Sequence, residues 1–196
     1  MVIGASQADA DALAPMFAAY FNAPRFQYGH HPLFSQGAFT IPAGYGFTPL
    51  IALGDGLLHA YTDLGFGDVA PQQILAHEYG HEVQDTVGAL PDMTNHTPEE
   101  SRRIELMADA LATYFDTSPR GLSMQAHREQ QLLQVSFSIG DCLFDSPSHH
   151  GTPTQRLRAT AWAYQLQEAQ RPRSKVLASA SFVTRFDAAL PGIVTP

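Results

Sequence analysis

Between Gln72 and Val87 the chain reads QQILAHEYGHEVQDTV. It contains His77-Glu78-Tyr79-Gly80-His81, the pattern H-E-x-x-H. On a helix, residues four apart lie one above the other on the same face. His77 and His81 can therefore offer two imidazole nitrogens to one metal ion. Glu78 stands at the edge of that face, where a water on the metal would sit. The surrounding residues favour a helix. Pro71 suits the first turn, where its missing N–H costs nothing. Ile74, Leu75, Ala76, Tyr79 and Val83 recur near the helical period, and Gly88 is a stop signal. Gly80 costs about 1 kcal/mol inside a helix, so it predicts a close backbone neighbour between the two histidines. Taken alone, the five residues also fit a helix that carries two histidines and no metal.

A catalytic zinc keeps three protein ligands and one open position. In the extended pattern H-E-x-x-H-x-x-G-x-x-H, glycine would fall at 84 and histidine at 87. The chain has Gln84 and Val87, which excludes that class. The other common solution is a glutamate on a following helix. TPEESRRIELMADALATYF, starting at Thr97, predicts such a helix. Thr97 and Glu100 make a capping box with Pro98 at the first helical position. Ile104, Met107, Ala108, Leu111 and Phe115 supply a core face. Glu105 and Asp109 are four apart and share a face. Acidic groups on a buried face are costly unless paired or bound to metal. Glu105 lies 24 positions beyond His81, room for a turn and a second helix packed on the first. The plain alternative is surface pairing of Glu105 and Asp109 with Arg102 or Arg103.

The 196 residues fit one domain, 1–196, with a substantial core. With 44% hydrophobic and 15% charged residues the composition is that of a globular chain. The net charge of −8 argues against a nucleic-acid partner. Cys142 is the only cysteine, which excludes an intrachain disulfide and a cysteine-based zinc site. MVIGASQADADALAPM has no basic start and no long apolar run, so it does not read as a signal peptide, and no stretch predicts a membrane span. The compartment stays open between cytoplasm and export. The oligomeric state is open as well.

Upstream, Ser6–Phe21 predicts a first helix interrupted by Pro15. Residues 22–46 are irregular with a short strand at Ala38–Ile41, and His30 and His31 read as loop residues. Phe47–Asp63 predicts a β-hairpin in which Leu50–Leu53 and Leu57–Tyr61 flank Gly54-Asp55-Gly56. The free edge of such a strand can pair with an extended peptide, although an ordinary sheet packed on the helix predicts the same residues. Ser123 is expected to cap a helix from Met124 to about Ile139, with Leu132, Leu133, Val135 and Phe137 in the core. His127 reads as a surface or packing residue. Thr152-Pro153-Thr154-Gln155 is a second capping box. It opens a helix to about Gln170, and a last helix is expected near Ser181–Leu190.

HEYGHEVQ, then SRRIELMAD, then HGTPTQR, in that order, resemble the bacterial neutral zinc metallopeptidase family. They are also similar to the wider gluzincin peptidases, with a His-Glu-x-x-His helix and a Glu-x-x-x-Asp helix. The likeness spans roughly Gly56 to Trp162. It implies a zincin-like α+β domain, predominantly α-helical, with a small hairpin or sheet beside the H-E-x-x-H helix. It implies one zinc per chain on His77, His81 and Glu105, with Asp109 hydrogen-bonded to a ligand histidine from outside the metal shell. The third block places a histidine six positions before an arginine. That spacing selects His150 with Arg156, rather than His149. Members of the family often carry an N-terminal membrane anchor, and this chain shows no such segment.

The implied activity is zinc-dependent endopeptidase action on proteins or peptides. A zinc-activated water attacks, with Glu78 as general base, and His150 donates to the oxyanion. Arg156 positions its loop or a substrate carbonyl or carboxylate, or is an ordinary helix-surface arginine. Two other readings stand beside this one. A non-catalytic zinc domain for binding or regulation would need no general base at position 78. An aminopeptidase would need a pocket for a free α-amine, and no residues for one are evident.

Overall fold

The computed structural model describes residues 2–3, 38–41, 50–53, 62–124, 128–140, 142, 146, 149–171 and 176–195. Within them lie three short strands, β1 (Val2–Ile3), β2 (Ala38–Ile41) and β3 (Leu50–Leu53). Five α-helices follow: α1 (Val69–Thr86), α2 (Pro98–Thr117), α3 (Glu129–Ser138), α4 (Pro153–Gln170) and α5 (Ser179–Val194). The described chain is thus mostly helical with a small sheet. The sheet order is β1-β3-β2; β2 runs antiparallel to β3 with Thr40 opposite Ile51, and β1 runs parallel to β3 with Val2 opposite Ile51. Both edges of β3 are therefore taken. The sequence suggested Leu57–Tyr61 as its hairpin partner; that stretch lies outside the described residues, as do the expected helix Ser6–Phe21, His30, His31 and His127.

Both capping boxes form as the local chemistry dictates. Thr97 accepts from the Glu100 N–H while the Glu100 carboxylate accepts from the Thr97 N–H, and Thr152 and Gln155 do the same. Helix α1 closes where Gly88 takes φ 68°, with the Ala89 N–H bonded to the Gln84 carbonyl and the Gly88 N–H to that of Asp85. This is the Schellman arrangement, which uses up the helix's last carbonyls.

Helix α2 is the centre of the molecule. Its partners are α1 on one side and α4 and α5 on the other. Leu106, Met107, Ala110 and Tyr114 are buried against Ala159 and Ala163 of α4 and Phe182 and Phe186 of α5. Trp162 stands edge-on to both phenylalanines. A second core of Val69, Ala70, Ile74, Leu132 and Val135 joins α1 to α3.

The two central helices run antiparallel and touch closely. A Cβ on Gly80 would lie 3.1 Å from the Cα of Ala108. This is the close neighbour that a glycine between the two histidines predicted.

Several local expectations are corrected. Helix α3 starts at Glu129, not after Ser123; Ser123 has φ 54°, and the next residue, Met124, bonds back to the Asp116 carbonyl. Leu132 and Val135 are buried as expected, but Phe137 faces solvent, as do Phe115 of α2 and Tyr79 of α1. Among the described residues no helix is long and apolar enough to cross a membrane.

Candidate metal centre

One turn of α1 and one turn of α2 face each other across the Gly80–Ala108 contact, and three potential ligands converge there. His77, His81 and Glu105 each present one donor atom, and these atoms all lie within 4.8 Å of one another. His77 Nε2 is 3.3 Å from Glu105 Oε2, and His81 Nε2 is 3.5 Å from Glu105 Oε1. Bonds of about 2.0–2.1 Å at tetrahedral angles would put donor atoms about 3.3 Å apart. The spacing and the nitrogen, nitrogen, oxygen donor set fit a small divalent ion.

The outer nitrogens of both rings are held. His77 Nδ1 is 2.8 Å from Asp109 Oδ1, one turn beyond Glu105 on α2. The same oxygen accepts from Arg156 Nη2 of α4 at 2.7 Å. His81 Nδ1 is 2.9 Å from Gln84 Oε1, and Gln84 Nε2 donates to the Ile104 carbonyl at 2.7 Å. Each Nε2 is thus left to face Glu105. Among the described residues neither Glu105 nor Asp109 pairs with Arg102 or Arg103; Arg103 forks onto Asp187 of α5 at 2.7 and 2.9 Å.

The carboxylates and imidazoles stabilise one another's charge. Burial pulls the basicity of His77 down, but hydrogen bonds and charge from Asp109 and Glu105 outweigh it and raise its pKa to about 10. Burial works against the Glu105 carboxylate, yet the His81 charge, the His77 hydrogen bond and charge, and the His150 charge hold it well below the usual carboxylate range. A ligand histidine must be neutral, so binding an ion displaces a proton here.

Glu78 is buried to 6% exposure on the same helix. The Thr40 hydroxyl of β2 has two acceptors at 2.8 Å, the Glu78 carboxylate oxygen Oε2 and the Glu78 main-chain carbonyl. β2 is an edge of the sheet among the described residues, and this contact sets it directly beside the H-E-x-x-H turn.

In the third sequence block the contacts favour the loop-positioning reading of Arg156 over the surface one. Arg156 is 3% exposed, not a helix-surface arginine. Its Nη2 is engaged by Asp109, and its Nη1 lies 3.5 Å from the His150 carbonyl and 3.9 Å from Glu105 Oε2. His149 is fully buried while His150 is exposed, so of the neighbouring pair His150 is the one open to solvent.

Two participants escaped sequence reasoning. Gln84 entered it only as the residue standing where another class has glycine; its signal was the i, i+3 spacing from His81 on one helix. Thr40 carries no motif, and only the packing of β2 on α1 reveals it. A separate apolar cavity of about 730 Å³ lies on another face of the α1–α2 pair, lined by Leu75, Tyr79, Val83, Leu111 and Phe115 among others, and holds none of the site residues. Compared with protein-family models, with curated proteins and with solved structures, the chain has no match.

Proposed function

We propose that this chain is a zinc-dependent endopeptidase with a zincin-like fold, and that the site hydrolyses peptide bonds in protein or peptide substrates. The observation that carries the reading is the convergence of His77, His81 and Glu105 beside the restrained carboxylate of Glu78. A zinc ion bound there supplies Lewis acidity toward a water and a substrate carbonyl.

The chain's own residues supply the rest. Glu78 takes a proton from the attacking water and returns it to the leaving amine nitrogen. Thr40 holds Glu78 Oε2 and fixes the orientation of the carboxylate. The exposed His150 donates a hydrogen bond to the oxyanion that develops on the scissile carbonyl. Arg156 holds the His150 carbonyl and Asp109 together, tying the His150 loop to the ligand shell. The edge of β2 offers main-chain donors and acceptors to an extended substrate. Three candidate ligands among the described residues would leave a fourth position for water on a tetrahedral zinc, the pattern of a catalytic rather than a closed structural site.

The test is Glu78→Gln, which keeps size and shape and removes the proton acceptor. Folding and zinc content should stay near wild type, and cleavage of a peptide library should fall by about 10²- to 10⁴-fold. Equal cleavage by the variant removes Glu78 from the reaction. A zinc-loaded wild type that cleaves no peptide replaces the reading with a non-catalytic zinc-binding domain.

A further inference from the structure

We infer that Gln84 is a positioning residue that sets the tautomer of His81 and joins it to the main chain beside Glu105, assembling part of the ligand set before any ion arrives. The inference rests on the metal-site reading for its consequence, but the hydrogen bonds that carry it are independent of that reading.

Gln84 is fully buried. A carbonyl oxygen only accepts, so the Ile104 carbonyl at 2.7 Å fixes which end of the Gln84 amide is nitrogen. Oε1 must then be the atom 2.9 Å from His81 Nδ1. An amide oxygen also only accepts, so Nδ1 must carry the proton. The lone pair of the neutral ring is forced onto Nε2, the nitrogen 3.5 Å from Glu105 Oε1. Ile104 immediately precedes Glu105. One amide therefore restrains the ring of one candidate ligand on α1 and the backbone next to another on α2. Asp109 does the same for His77 with a charged group. A neutral amide orients the second imidazole without adding another buried negative charge.

The experiment measures ¹⁵N chemical shifts of the His81 ring in the metal-free protein, at a pH where that ring is neutral, and zinc affinity by chelator competition. Wild type should show the Nδ1–H tautomer. Gln84→Met should shift His81 toward a mixture with the Nε2–H form and weaken zinc binding by about 10- to 100-fold, the usual cost of removing such a partner. Gln73→Met is the control. Gln73 is also buried on α1 and reaches α2 through Thr113 at 3.4 Å, so its loss should leave the His81 tautomer unchanged. An Nε2–H form of His81 in wild type overturns the inference without any variant. So does a folded Gln84→Met that keeps both the tautomer and the zinc affinity. If wild type binds no zinc, the metal reading fails, while the tautomer still decides the role of Gln84.

Discussion

Arg156 and Asp109 form an ion pair sealed from solvent, with Nη2 and Oδ1 2.7 Å apart and the two side chains 3% and 0% exposed. The oxygen they share with His77 makes the pair part of the site rather than a distant brace. Asp109→Ala would remove the nearest ion-pair partner of the buried Arg156, leaving Glu105 Oε2 3.9 Å from its Nη1, at a cost of up to about 3–5 kcal/mol. It would also free the His77 ring, so zinc affinity should fall by about 10- to 100-fold. Chemical denaturation and chelator competition read the two effects separately. Unchanged affinity in a folded Asp109→Ala would show that the aspartate does not orient His77.

Glu105→Ala removes the only carboxylate in the converging triad. Zinc content by elemental analysis should drop well below one per chain, although the buried core around Leu106 and Met107 is untouched. Full occupancy would take Glu105 out of the ligand set.

Thr40→Val keeps the branched shape that suits a strand and removes the hydroxyl beside Glu78. A hydrogen bond to a charged group is worth about 1.5–3 kcal/mol. If that restraint is expressed in the reaction, cleavage should fall about tenfold or more while zinc content stays constant. Loss of zinc along with activity would instead assign Thr40 a purely structural role.

Asp116 gives a pH signature of its own. It is fully buried, and among the described residues neither carboxylate oxygen has a hydrogen-bond partner. Burial pushes its pKa up to about 7 against a weaker opposing pull from the Arg128 charge. The folded state therefore holds the proton more tightly than the unfolded chain. The stability this contributes is complete below pH about 4, the ordinary aspartate range. It is lost as pH rises through about 7 and is level above. Asp116→Asn, which mimics the neutral acid, should flatten that slope. It should be the more stable protein at pH 8, by an amount on the order of 4 kcal/mol. Thermal melts of both proteins at pH 4, 6 and 8 check this, and parallel profiles would rule it out.

What was legible in the sequence was local. The starts of α2 and α4 follow from Thr97 with Glu100 and from Thr152 with Gln155, because a cap is made within four residues. The pairing of His77 with His81 follows from helical pitch. The site's remaining geometry depends on which helix faces which. Arg156 stayed open between a loop-positioning and a surface arginine because its buried partner, Asp109, lies 47 positions away. Ser123 looked like a cap because serine often is one, whereas main-chain bonds to Ser118 and Asp116 carry that turn down against α2. Tyr79, Phe115 and Phe137 matched the apolar period, but period alone does not say which side of a helix finds a neighbour.

The contact at Gly80 also acts as a gauge. Packed helices stand about 8–10 Å apart according to the side chains between them, and here the smallest possible residue meets Ala108. The donors sit on opposite jaws, two histidines on α1 and one glutamate on α2, with gaps of 3.3 and 3.5 Å. The two gaps end on different oxygens of Glu105, and the three donor atoms lie within 4.8 Å of one another, a spacing that can close around one metal ion. The spacing of the candidate ligands is thus set in part by a residue outside them, and a bulkier side chain at 80 would reset the caliper.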